Sequence, residues 1–209
     1  MNLSVYGGIA GMLSSRGKFS GTLDNIEAEG GVDIPNFRVS TGTQVVHLST
    51  EFHAAVDAKN GDTDLASVQS HFDRTSIFSK GAVTGHTGQH GKTAVLEMTV
   101  KNGRIEDLLH LFTEENLPSM TGSLSLRARV EVPPGPPGFL TKLRLEGDFG
   151  VGGGRFTNAL VQVPVNRLSE SARGETRKQE DSDPETVVSN LKGHVSLRDG
   201  IARVVWCFV

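Results

Sequence analysis

The sequence predicts a mainly β protein: an elongated antiparallel sheet, curved into a groove or folded as a sandwich, with one principal helix. Three observations carry this. Apolar and polar residues alternate with period two in several long runs. Glycine, at 25 residues, supplies frequent turns. Only one stretch follows the helical i, i+3, i+4, i+7 stripe clearly.

The first clear strand falls within 44–58. Val46, Leu48, Thr50, Phe52, Ala54 and Val56 lie on one face, and His47, Ser49, Glu51, His53 and Asp57 on the other. Asn60-Gly61 follows, a pair suited to a type I′ turn, whose two central positions need positive φ. A second strand, 93–101, sets Ala94, Leu96, Met98 and Val100 against Thr93, Val95, Glu97 and Thr99, and Asn102-Gly103 should close it. The helix is expected over about 104–113, with Ile105, Leu108, Leu109 and Phe112 as its stripe. Glu106 and Asp107 near its start suit the helix dipole, and Pro118 bars extension.

A third strand, 122–132, sets Leu124, Leu126, Ala128, Val130 and Val132 against Ser123, Ser125, Arg127, Arg129 and Glu131. One dry and one wet face in all three is the mark of antiparallel strands with a single buried side. Pro133-Pro134-Gly135-Pro136-Pro137-Gly138 is a stiff connector without ladder donors. Further strands are expected at 142–151 and 186–197, and a short helical turn through Val165–Ser169. Residues 94–100, 145–151 and 191–197 form a weak repeat, each an alternating strand with a turn glycine three residues later, at Gly103, Gly154 and Gly200.

The expected organisation is a β-rich region over 1–172, a flexible charged loop over 173–185 without an apolar residue, and a terminal hairpin over 186–209. The final run, Val204-Val205-Trp206-Cys207-Phe208-Val209, reads as a strand edge in want of a partner. The chain is therefore expected to be a fragment of a longer protein.

Composition excludes several classes. Net charge is −3 with no basic stripe, which argues against nucleic-acid binding. The lone cysteine, Cys207, cannot found an internal disulfide framework and reads as an inert apolar residue. No apolar run reaches the ~18 residues of a spanning helix, so the chain as given should be soluble or peripheral.

Several chemical motifs fail on spacing. Gly85-His86-Thr87-Gly88-Gln89-His90-Gly91-Lys92-Thr93 approaches a phosphate-cradling loop, yet five residues separate Gly85 from Gly91, and a strand pattern follows instead of a helix. His86 and His90 lack a third ligand nearby in sequence. Asp57, Asn60, Asp62 and Asp64 lack the EF-hand glycine and glutamate. Glu106 and Asp107 are adjacent, so their side chains diverge and make no acid/base pair. No G-x-S-x-G or H-E-x-x-H occurs. The expectation is a non-enzymatic protein with no catalytic residue, metal or cofactor.

A series of short segments carries a resemblance: Gly17-Lys18-Phe19-Ser20-Gly21-Thr22-Leu23 with Asn25-Ile26, Pro35-Asn36-Phe37, Val56-Asp57 with Asn60-Gly61-Asp62-Thr63, Gly103-Arg104-Ile105-Glu106-Asp107-Leu108-Leu109, Pro118-Ser119-Met120-Thr121-Gly122, Gly154-Arg155-Phe156-Thr157-Asn158, and Val188-Ser189-Asn190-Leu191 before Gly193. In this order they resemble the C-terminal β-rich region of the AsmA-like family of bacterial cell-envelope proteins, which includes TamB-type bridges. The resemblance implies a long sheet curled lengthwise into an apolar groove, in a periplasmic protein anchored to the inner membrane by an N-terminal helix. It implies a part in outer-membrane biogenesis or phospholipid transport, with a phospholipid or other acyl-chain ligand as partner.

The candidate lining is Val46, Leu48, Phe52, Val56, Leu96, Met98, Leu124, Leu126 and Val130. A closed sandwich core would use the same residues, so open groove and closed core both remain. The alternative function is an extracytoplasmic glycan-binding or adhesive β-module, against which one Trp and one Tyr weigh.

Overall fold

The computed structural model describes residues 1–22, 24–42, 44–86, 88, 90–112, 118–136, 138–157 and 190–208. Eleven antiparallel strands form one sheet. They are β1 (Ile9–Ala10), β2 (Ser14–Gly21), β3 (Ile26–Val39), β4 (Val46–Val56), β5 (Thr63–Phe72), β6 (Thr75–Gly85), β7 (Lys92–Arg104), β8 (Met120–Val132), β9 (Arg144–Phe156), β10 (Leu191–Arg198) and β11 (Ile201–Phe208). Two short helices, α1 (Ile105–His110) and α2 (Phe139–Lys142), interrupt them. From β3 to β11 each strand pairs with its sequence neighbour, and β1 and β2 share the outer edge of β3. The sheet is not closed, and no second sheet lies against it among the described residues, so the sandwich arrangement is set aside.

Register turns the sequence alternation into two continuous faces. Phe52, Val68, Ser79, Met98, Ala128, Gly147, Val195 and Val204 stand directly opposite one another, strand after strand, from β4 to β11. Ala54, Leu65, Gly81, Leu96, Val130, Leu145, Leu197 and Ala202 form the next row. Thr50 and Ser70 share this apolar face and satisfy each other at 2.9 Å. The opposite face carries charges of alternating sign: Lys80 bonds Glu97 at 3.3 Å, and Arg129 and Glu146 continue the same row. Opposed charges directly across a ladder stabilise it and help fix its register.

The sheet is strongly curled. Five spacings of about 4.8 Å would hold β3 and β8 about 24 Å apart in a flat sheet. Yet the connector after β8 meets the segment before β3: the Phe139 N–H donates to the Gly7 carbonyl at 3.0 Å. A Cβ on Gly8 would strike Leu140 at 2.6 Å, so only glycine allows this approach. Leu140 packs with Val39, Val46, Phe72 and Leu111, which places α2 on the apolar side. The N-terminal segment and the β8–β9 connector thus bridge part of that face.

Several local expectations are corrected. Asn60-Gly61 is not a type I′ turn, because only Gly61 has positive φ (71°). A wider turn forms instead, closed by Asp57 N–H to the Asp62 carbonyl at 2.8 Å and Gly61 N–H to the Asp57 carbonyl at 2.6 Å. Asn102-Gly103 does not close β7 but forms a bulge inside it, with Asn102 at φ 55°. Of the three repeat glycines only Gly200 turns a hairpin, with Asp199 and Gly200 both at positive φ; Gly154 lies within β9. The helix stops at His110, so Phe112 is half exposed and Leu111 takes its place in the apolar cluster. The expected turn at 165–169 and loop at 173–185 lie outside the described residues.

Candidate functional site: the apolar face of the sheet

All nine predicted lining residues share one face, and the structure divides them. Val46, Leu48, Leu124 and Leu126 join two clusters that pack under or beside α1. One cluster is Val100, Ile105, Met120, Leu124, Val151 and Leu191, with Leu108 and Leu109 of α1 against it. Val151 and Leu124 are only 1% and 2% exposed there. Leu108 also packs on the second cluster, so α1 lies across one end of the face as a lid.

Phe52, Val56, Leu96, Met98 and Val130 belong to neither cluster. The first four are half-buried, and Val130 is buried at 9% exposure. The face is sealed beneath α1, and beyond it buried Ala54, Ala128 and Val130 alternate with the half-buried residues.

A polar network that the sequence did not reveal fixes α1. Glu106 and Asp107 are 4% and 2% exposed, not solvated at a helix end. Asp107 Oδ2 accepts from the Arg74 backbone N–H at 3.0 Å and the Thr75 hydroxyl at 2.8 Å. The Arg74 guanidinium donates to both carboxylates, each at 3.2 Å. Glu106 also accepts from Arg104 Nε at 2.9 Å and the Gly122 N–H at 3.1 Å. Burial opposes the Glu106 charge, but backbone N–H donors and Arg104 outweigh it, and its pKa lies below the ordinary value. The two carboxylates tie α1 to the β5–β6 turn, β7 and β8, which is a docking role.

The approximate phosphate loop leads into a strand. β7 begins at Lys92, whose ammonium is held by the Asn60 carbonyl and Asp62 Oδ1, each at 2.8 Å. The Lys92 hydrogen bond, then the Gly85 N–H, keeps the Asp62 carboxyl below its usual range. Asn60 Oδ1 accepts from the Asp62 N–H at 2.7 Å, and Asp57 Oδ1 from the Lys59 N–H at 2.8 Å. These oxygens serve the turn itself.

The polar face has a shallow cleft of about 450 Å³, where the β4–β5 and β5–β6 pairings shift register. Glu51, His53, Gln69, Lys80 and Glu97 line it beside Phe78, which is 45% exposed. No helix of the described residues is long and apolar enough to cross a membrane.

No family model, curated protein or solved structure matches this chain. Function has to be argued from the faces themselves.

Proposed function

We propose that this chain is a non-enzymatic, lipid-handling part of a periplasmic cell-envelope protein of the AsmA-like type, whose apolar face takes acyl chains. One observation carries the reading: an apolar face that runs in register across a sheet that is not closed and has no second sheet against it among the described residues. An exposed apolar surface of this extent is a binding surface or an aggregation hazard. Acyl chains suit it, because each methylene moved out of water contributes ~0.8 kcal/mol and needs no directed polar partner. In this reading the full-length protein is anchored to the inner membrane and contributes to outer-membrane biogenesis or phospholipid transport. The glycan-binding alternative draws on the polar cleft and the exposed Phe78 beside it.

The test places photo-crosslinkers at Phe52, on the apolar face, and at its neighbour His53, on the polar face beside Glu27. Lipid adducts in envelope-containing cells are expected at Phe52 and not at His53. Equal labelling, or none at either site, would end the acyl-chain reading.

A further inference from the structure

Among the described residues, the large hydrophobic side chains left exposed lie on the N-terminal segment, β2, the approach to β4, the turn after α1 and β11, with one exception. Phe78 stands in β6, in the middle of the sheet, 45% exposed on the polar face. We propose that the cleft beside it binds a neutral sugar, one pyranose ring of a glycan stacking on Phe78 while its hydroxyls bond the polar side chains around. The site goes beyond the acyl-chain reading and does not depend on it, because the two surfaces lie on opposite faces of the sheet.

Three observations support the site. The first is shape. The cleft, about 450 Å³, falls within the ~300–1,000 Å³ of small-molecule sites. It lies where β5 bulges: Ala66 and Ser67 together face Lys80 alone on β6. A bulge bends its strand and re-aims side chains, and bulges recur beside binding sites. The second is the setting of the ring. Glu51, Gln69, Phe78 and Thr99 stand directly opposite one another from β4 to β7, at about 4.8 Å per strand. Lys80 and Glu97, bonded at 3.3 Å, form the next pair on the same face. The Gln69 amide nitrogen bonds His71 Nε2 at 2.9 Å, and His71 Nδ1 bonds the Ser76 hydroxyl at 2.8 Å. That chain fixes the amide and leaves its carbonyl oxygen as an acceptor beside the ring. The third is charge, which decides the class of ligand. Glu29, Glu51 and Glu97 line the cleft, while Lys80 is engaged by Glu97 and His53 by Glu27 at 3.3 Å, so an anionic sugar is disfavoured. A cationic side chain on Phe78 would meet the Lys80 ammonium two residues along the same strand. A neutral pyranose escapes both repulsions. Its C–H face leaves water on stacking, and its hydroxyls both donate and accept. Trp and Tyr occur once each in the chain, and Phe78 supplies the aromatic platform in their place.

The experiment titrates the full chain by calorimetry with neutral trisaccharides of glucose and of N-acetylglucosamine, and with a glucuronic-acid trisaccharide and tri-lysine as charged comparisons. At least one neutral sugar should bind, and both charged probes should bind about ten-fold more weakly or not at all. Phe78→Ala should weaken the neutral sugar about ten-fold, and Phe78→Tyr should restore it. Phe19→Ala removes a ring that is 78% exposed outside the cleft, and affinity should not change. Should Phe78→Ala fail to fold, Phe78→Leu keeps apolar bulk without a ring and carries the same test. No binding of either neutral sugar up to about 10 mM, or affinity unchanged without the Phe78 ring, overturns the site. Tighter binding of tri-lysine or of the acidic sugar overturns the assignment to a neutral glycan. Each of these results leaves the lipid adducts expected at Phe52 untouched, so the two readings fail separately.

Discussion

Asp107→Ala probes the docking of α1, and its cost follows from the bonds it removes. The Thr75 hydroxyl, 2% exposed, loses its acceptor while still accepting from the Arg104 N–H at 2.9 Å. A buried donor left without a partner costs about 1–3 kcal/mol. The Arg74 backbone N–H loses its acceptor too and adds about 1 kcal/mol. The Arg74 guanidinium is 62% exposed and rehydrates, so its lost ion pair adds little. The expected total is about 3 kcal/mol, a large share of a typical domain's stability. For a chain of this size that lowers the thermal midpoint by roughly 6–12 °C. Urea denaturation with Asp107→Asn alongside makes the measurement, and the Asn variant, which keeps one acceptor oxygen, should lose less. A loss below about 1 kcal/mol for the alanine variant would refute the view that this carboxylate fastens the helix.

Glu106 gives a pH signature. Its folded pKa is lowered, so its contribution is fully present above the ordinary value of 4.5 and is lost as pH falls through the lower folded value. Thermal midpoints of the native chain should drop more steeply in that acid window than those of Glu106→Gln, and parallel curves would contradict the assignment. Gly103→Ala should destabilise the bulge before α1 by about 1–3 kcal/mol. Its Cβ would meet Val100 Cγ1 at 2.5 Å and Thr75 Cγ2 at 3.0 Å, and calorimetry showing no change would mean that β7 relaxes freely there.

The strands legible in the sequence are those with unbroken alternation: β4, β7 and β8, and after them β9 and β10 at the expected 142–151 and 186–197. β2 was not legible because all eight of its residues are exposed, so it has no dry face to betray it. β3 hides behind Gly30, Gly31 and Pro35. In β5 and β6 the period breaks where register shifts between Leu65 and Val68, and Ser70 and Ser79 occupy apolar-face positions. Alternation marked the dry face correctly but cannot say what covers it, so the sealed cluster beneath α1 was not legible. The acidic pair at the start of α1 was misread for a similar reason. Its partner Arg74 lies far back in the sequence, and only the β5–β6–β7 register brings it within 3.2 Å.

Division of the apolar face also separates where stability resides from where binding is possible. Truncating a side chain such as Leu124, sealed under α1, creates a cavity and costs about 2–5 kcal/mol. Met98 and Phe52 are half-buried, so water reaches them in part and truncation there forfeits less. Here the sealed cluster, the carboxylate network and the charge ladder on the polar face hold the strands in register without a second layer.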